Sequence, residues 1–394
     1  MVPLFRRDLS RREWSSVVLA SGMFAVLRPI AAGDTPPEAD KKSVELLRDF
    51  TERFRKGEEG WLGADAVYSV VLPDGRLVWV FDDTFIGKLV EGKRQVSQMV
   101  NNTLGVQKEA RLDAPLQLVV RRGEDGKAQS FVVPAEGEGW FWQCAAVADA
   151  GKLHVFCQRV VKADSKSEAF GFAIVGTELV SLGETGQELA ADPNLWKSSQ
   201  QNVPGSGKKN EQLIIWGAGA VTHESHHYVL GTREKTGRGP HTKELILARA
   251  EKGKLAELAS WQFWDGSQWQ ADAEKCAALA KDVANELSVS FDTRLNCWIM
   301  IHSEKMLAPG IIIRTAQRIE GPWSEPKRIY RAPEADFDKR IFCYAAKGHV
   351  AVSKPGELVI SYVTNSHEFA HAINDNRVYW PIFIKADLTK LVEM

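Results

Sequence analysis

One local pattern recurs five times along this chain, and it limits the possible folds more than any other feature. The runs "GRLVWVFDD", "GKLHVFCQR", "HHYVLGTRE", "NCWIMIHSE" and "GELVISYVT" begin near residues 75, 151, 226, 296 and 356. Each follows a strand-like run and a short turn: "AVYSVVLPDG", "CAAVADAG", "LIIWGAGAV" with "HES", "LSVSFDTRL" and "HVAVSKPG". β-Branched and aromatic runs of strand length, broken by Gly, Pro, Asp and Asn, read as hairpins. After each hairpin come further strand-like runs, as in "LQLVVRRGEDGKAQSFVV", "FGFAIVGTELVSL", "ELILARAEKGKLAELASW", "GIIIRTAQRIEGPWSEPKRIY" and "VYWPIFIKADLTKLVEM". The chain reads as five copies of a four-strand meander with almost no helical periodicity. The fold this predicts is all-β, a five-bladed β-propeller of four-stranded antiparallel blades around a central funnel, which closes radially and leaves only short, protected edges.

A chain of 394 residues with 44% hydrophobic content suits one closed domain of this kind. The expected organisation is an export signal over 1–32, a lead-in over 33–60 and the propeller over 61–394. The last repeat runs out of chain at Met394, so "SVELLRDFTERFRK" near residue 43 either lends it a closing strand or caps it as a helix. Within "SRREWSSVVLASGMFAVLRPIAA", Arg11 and Arg12 precede a short apolar stretch and a small-residue end. That is the layout of a twin-arginine export signal and is too short for a stable membrane anchor. The expected location is periplasmic or extracellular. Without residues 1–32 the chain has 45 basic and 49 acidic residues, a formal charge of −4, which gives no basic patch for nucleic acid. The five cysteines lack metal-ligand spacing and read as small buried apolar residues.

His223-Glu224-Ser225-His226-His227 matches H-E-x-x-H, but that zinc chemistry needs a helix to put both imidazoles on one face. Here the motif fills the turn of the third hairpin, so no metal site and three largely exposed histidines are expected. The first repeat is richer. In "GADAVYSVVLPDGRLVWVFDDTFIG" the turn is centred near Asp74, and residues equidistant from it face each other, which opposes Asp65 to Asp83. Like charges so placed destabilise a hairpin unless one is protonated or a ligand intervenes. Two close carboxyl groups with unequal pKa values are what glycosidic cleavage requires. The structural alternative is that Asp82-Asp83-Thr84 ends a strand and caps backbone amides.

The segments "WLGADAVYSVVLPDGRLVWVFDDTFIG", "MVNNTLGVQ", "NELSVSFDTRLNCWIMIHSE", "IIIRTAQRIEGPWSEP" and "CYAAKGHVAVSKPGELVISYVTNS" carry a resemblance. From about Trp61 onward the chain resembles exported five-bladed propellers of the domain of unknown function 4185/5005 type. It is similar to bacterial endo-D-arabinanases and, more distantly, to arabinanase, levansucrase and invertase propellers. The resemblance implies a sugar-binding funnel lined by carboxylates from the innermost strands. It makes Asp65 the nucleophile or base and Glu286 in "ANELSVSF" the acid; Asp83, placed opposite Asp65 by the hairpin register, completes the catalytic set by tuning the charge of Asp65. His349 would line the axis, and Trp61, Trp142 and Asn102 would contact substrate. Where related chains carry a glycine-aspartate pair in the second blade, this one reads Gln143-Cys144-Ala145. Two functions follow: an exported glycoside hydrolase acting on an arabinan-like or other furanose-containing polysaccharide, or a non-catalytic carbohydrate-binding propeller. A monomer without cofactor is expected, with a structural central cation such as calcium compatible with the funnel.

Overall fold

The computed structural model describes residues 43–392 apart from 56–58, 164–170, 185–188, 237–241 and 306. The export-signal reading of residues 1–32 lies outside the described residues. Four of the five hairpins form as read and the fifth forms with a different first strand; each opens a separate antiparallel sheet. The first sheet runs Tyr68–Val71, Leu77–Phe81, Thr103–Gln107 and Leu116–Val119, and the second Trp140–Asp149, Lys152–Lys162, Phe172–Leu182 and Ser198–Asn202. The third is built on Gln212–His223, His226–Lys235 and Glu244–Glu251, with short strands added at both edges. The fourth is Leu287–Asp292, Cys297–Ser303, Gly310–Ala316 and Lys327–Arg331. The fifth is Ile341–Gly348, Glu357–Ser366 and Pro381–Asp387, completed by Val44–Leu46 from the other end of the chain.

First strands of successive sheets are neighbours. Trp140–Asp149 packs on Tyr68–Val71, Gln212–His223 on Trp140–Asp149, Leu287–Asp292 on Gln212–His223 and Ile341–Gly348 on Leu287–Asp292; the turn Val350–Val352 returns to Tyr68–Val71. Apolar layers fill the spaces between sheets, such as Trp216, Phe156 and Phe263 between the second and third, or Ile301, Ile313 and Ile360 between the fourth and fifth. Buried faces on both sides of each sheet, in ring order, make this an all-β propeller. The lead-in supplies both alternatives at once. Val44–Leu46 pairs with Ile384–Ala386, and the helix Arg48–Arg53 follows, placing Phe50 and Phe54 against Trp79 and Phe383. The folded unit therefore begins upstream of Trp61, because the last sheet needs an outer strand to cover its edge.

The expected strand assignment differs in several places: "FGFAIVGTELVSL" supplies the single strand Phe172–Leu182, and only Glu244–Glu251 of "ELILARAEKGKLAELASW" is a strand. After Phe81 the chain leaves the first sheet, forms a three-stranded sheet from Glu59–Ala64, Thr84–Val90 and Lys93–Val100, and returns as Thr103–Gln107. Arg121–Arg122 and Ala128–Gln129 then pair only as a small ribbon, so "LQLVVRRGEDGKAQSFVV" provides one blade strand and not two. In the last sheet the inner strand is Ile341–Gly348; "HVAVSKPG" is a single 3-10 turn and the loop beyond it.

The HESHH segment is a two-residue hairpin turn, with His223 paired to His226 and Glu224 at φ 49°. Its histidines are less exposed than the turn position suggested. His227 is buried with Nε2 3.0 Å from Asp149, and the His223 ring packs 4.9 Å from both Phe291 and Trp298. Among the described residues no group of three or more His, Cys, Asp or Glu is arranged to hold a metal ion, and no helix is long and apolar enough to cross a membrane.

Candidate active site

The hairpin of the first sheet has the register the sequence implies, with Tyr68 opposite Val80 and Val71 opposite Leu77. Continued backwards, that register would set Asp65 against Asp83. The chain kinks first, at Ala66 with φ 49°, a left-handed conformation that costs a residue with a Cβ some energy. Asp65 therefore bonds to two residues: its N–H donates to the Asp83 carbonyl at 3.4 Å, and its own carbonyl accepts from Asp82 N–H at 3.1 Å. This irregularity gathers three aspartates of the first sheet instead of two. Asp82, read in the sequence only as part of a strand-ending turn, belongs to the site.

Three other sheets contribute. The Tyr344 hydroxyl, from the fifth sheet, donates to Asp65 Oδ2 at 2.5 Å and accepts from the Asn365 amide at 3.3 Å. Gln143 N–H, from the second sheet, donates to Asp82 Oδ1. Glu286, immediately before the first strand of the fourth sheet, receives an ion pair from Lys347 of the fifth. Lys347 Nζ also lies 4.3 Å from the centre of the Tyr68 ring, and the Tyr68 hydroxyl donates to the Ala218 carbonyl at 3.1 Å. Asn101 Nδ2 donates to Asp83 Oδ1 at 3.0 Å, and the Tyr379 hydroxyl to the Asp83 carbonyl at 2.9 Å. Asp65, Asp83, Glu286, Tyr344, Asn101 and Asn365 are each half-buried, ringed by protein yet in touch with solvent.

The electrostatics follow from this crowding. Burial, then the charge of Asp83, push the Asp65 carboxyl well above the usual carboxylate range, against the pull of the Tyr344 hydroxyl. Burial, then Asp65 and Glu286, do the same to Asp82. Asp83 is raised from 3.8 to about 6 by burial, opposed by the Asn101 amide and the Trp142 indole. A raised pKa means that protonation favours the folded state. The stability Asp83 contributes is complete below 3.8 and is lost as pH rises through about 6. Asp83→Asn is therefore expected to stabilise the fold at neutral pH by about 1 kcal/mol, discounted for partial exposure, and to leave it unchanged in acid below the ordinary aspartate pKa. Thermal melts across that pH range check the sign.

Three residues expected to touch substrate are structural. Trp61 is 3% exposed; its indole N–H donates to Thr103 Oγ1 at 3.1 Å, and its ring packs on Phe81 and Trp380, because its strand faces the layer between the fifth and first sheets. His349 is 1% exposed, bonded to Ser69 and Ser361 hydroxyls at 2.8 Å each, and pushed down to about 3 by burial and by Lys347. It is a neutral core histidine. Asn102 is wholly buried: its amide donates to the Val132 and Phe141 carbonyls at 2.9 and 3.0 Å, and its Oδ1 accepts Val132 N–H at 2.8 Å. In the link between Val100 and Thr103, Asn101 turns to the site and Asn102 to the loop behind it. Asn102→Ala is expected to cost about 2–4 kcal/mol, since three backbone groups lose their partner away from water, and denaturant titration measures it. Trp142 does stand beside the site, half-buried, with Phe172 edge-on at 4.9 Å.

Sequence reasoning missed Tyr344 and Lys347. The available signal was Lys347 itself, a lysine directly after the apolar run Cys343-Tyr344-Ala345-Ala346 in a strand-like segment, where buried lysines are rare unless paired. The inner strands share a device. Pairing skips two residues after Gln143, after Trp216 and after Tyr344, as it does around Ala66, so Asp65, Gln143 and Tyr344 each sit just before a bulge. Bulges redirect side chains, and here they aim polar groups from several sheets at one place.

Fold and site together define an all-β propeller whose inner strands converge on clustered carboxyl groups. The chain belongs to the family described as a domain of unknown function (DUF5005), whose model matches residues 48–387. No curated protein matches it. Among solved structures it is similar to a Bacteroides ovatus protein provisionally described as a hydrolase, at 18% identity and TM-score 0.69 over 88% of this chain and 91% of that one. That likeness shows a shared fold. Weaker similarities, at 12% and 11% identity and TM-scores of 0.43 and 0.44, are to an endo-arabinase of Bacteroides thetaiotaomicron and to Bacillus subtilis levansucrase in complex with oligosaccharides. The first covers 83% of this chain and 96% of that one, the second 88% and 86%.

Proposed function

We propose that this protein is an exported glycoside hydrolase, built as a five-bladed propeller, that cleaves an arabinan-like or other furanose-containing polysaccharide in a central funnel. One observation carries the reading. Of four carboxyl groups, Asp65 and Asp82 each lie within electrostatic reach of the other and of both Asp83 and Glu286, and only Glu286 has a lysine as ion-pair partner among the described residues. Such a set holds carboxyls of unequal proton affinity side by side. Hydrolysis of a glycosidic bond asks for one that gives a proton to the departing oxygen and one that acts as base or nucleophile. A structural core gains nothing from the arrangement, because uncompensated acids destabilise it.

The alternative, a propeller that binds carbohydrate without cleaving it, has Gln143 in its favour: an amide stands in the second sheet where the resemblance implies a carboxylate. Incubation with arabinan, fructan and galactan separates the two. The hydrolase releases new reducing ends, and the binding module retains oligosaccharide with none. Export is part of the proposal. Mass spectrometry of the secreted protein is expected to find an N-terminus near Gly33, and an intact Met1 on cytoplasmic protein would refute that part alone.

A further inference from the structure

We infer that Lys347 makes Glu286 the ionised carboxylate of the site and that Asp65 holds the proton, so that Glu286 acts as base and Asp65 as acid, the reverse of the roles the family resemblance implies. The inference rests on the hydrolase reading for the chemistry but not for the charge states. Lys347 has 1% of its side chain exposed and Glu286 21%. A buried ammonium bonded to a carboxylate and lying on an aromatic face keeps its partner charged, since neutralising either one strands the other. Asp65 has no such partner. Its Oδ2 takes the Tyr344 hydroxyl, while its Oδ1 is buried and accepts no hydrogen bond from any described residue. The titratable groups facing it are Asp82, Asp83, Glu286, Tyr344, Tyr379 and the already paired Lys347. A bare anionic oxygen among three other acids is costly, and a proton on Asp65 removes the cost. The upward shift of the Asp65 carboxyl, from burial and then from Asp83, agrees.

The step balances. The glycosidic C–O bond breaks as the departing oxygen takes the Asp65 proton; water bonds the anomeric carbon and passes a proton to Glu286. Exchange with solvent then returns Glu286 to its anion and Asp65 to its acid.

Infrared difference spectroscopy reads the protonated carboxyl directly and needs no substrate, so it succeeds or fails independently of turnover. Near neutral pH the wild type is expected to show a protonated-carboxyl band that is reduced in Asp65→Asn and retained in Glu286→Gln. Lys347→Met, which leaves Glu286 without its cation, is expected to add a further protonated carboxyl to those of the wild type; should that variant not fold, the first comparison decides alone. A band that Asp65→Asn leaves unchanged, or that Glu286→Gln removes, overturns the assignment.

Discussion

Asp65→Asn is expected to lower polysaccharide cleavage by about a hundredfold to ten-thousandfold, the usual cost of removing one acid–base group, while the melting transition stays close to that of the wild type. Glu286→Gln is expected to do the same. The reason is that neither group is part of an apolar layer. Asp65 is held by one hydroxyl at its Oδ2 and lies among other acids, so an amide there is as neutral as the protonated acid it replaces and keeps a hydrogen bond to Tyr344. Glu286→Gln leaves Lys347 with a neutral partner, which costs some stability but preserves a hydrogen bond. Equal falls in kcat and kcat/KM would place both groups in the transition state, whereas a rise in KM alone would mean that they only bind. Reducing-end assays on purified variants, with thermal melts alongside, make the comparison.

The second large effect falls on stability. Phe54→Ala is expected to destabilise the protein by about 3–5 kcal/mol, the range for emptying a buried aromatic position. Phe54 is wholly buried just after the helix Arg48–Arg53, with ring centres 4.9 Å from Phe383, 5.5 Å from Phe50, 5.6 Å from Trp79 and 6.2 Å from Phe81. Phe383 belongs to the fifth sheet and Trp79 and Phe81 to the first, so Phe54 and Phe50 of the lead-in fill the layer between those two sheets. The loss is therefore one of ring closure, not of local helix stability, since a six-residue helix has little of its own. Urea titration gives the value; a change within about 0.5 kcal/mol, as at an ordinary surface site, would mean that the lead-in does not close the ring.

Much of the fold was legible because hairpins announce themselves locally. Turn residues and β-branched runs mark each one, and their recurrence carries the ring. The excursion from Thr84 to Val100 was not legible, since its strands have the same composition as blade strands and only tertiary pairing tells them apart. The site was legible where two residues share a hairpin: counting about Asp74 brought Asp65 near Asp83, although the kink at Ala66 breaks the direct pairing and draws in Asp82 as well. It was illegible where position depends on a bulge. Pairing skips Ala345 and Ala346, which turns Tyr344 and Lys347 to the site and leaves His349, the more conspicuous residue, in the core between Trp79 and Phe383. Trp61 misled for a related reason, because an aromatic at the mouth of a hairpin offers a sugar face and a packing face equally well until its neighbours are known.

The central claim is that the carboxyl cluster cleaves glycosidic bonds. The measurement that tests it most directly is the release of reducing ends from arabinan, fructan and galactan by wild type and Asp65→Asn side by side. The account predicts release from at least one of the three by the wild type and a loss of at least a hundredfold in the variant. Equal release by the two proteins, or none by the wild type from any of the three together with measurable oligosaccharide binding, would contradict it.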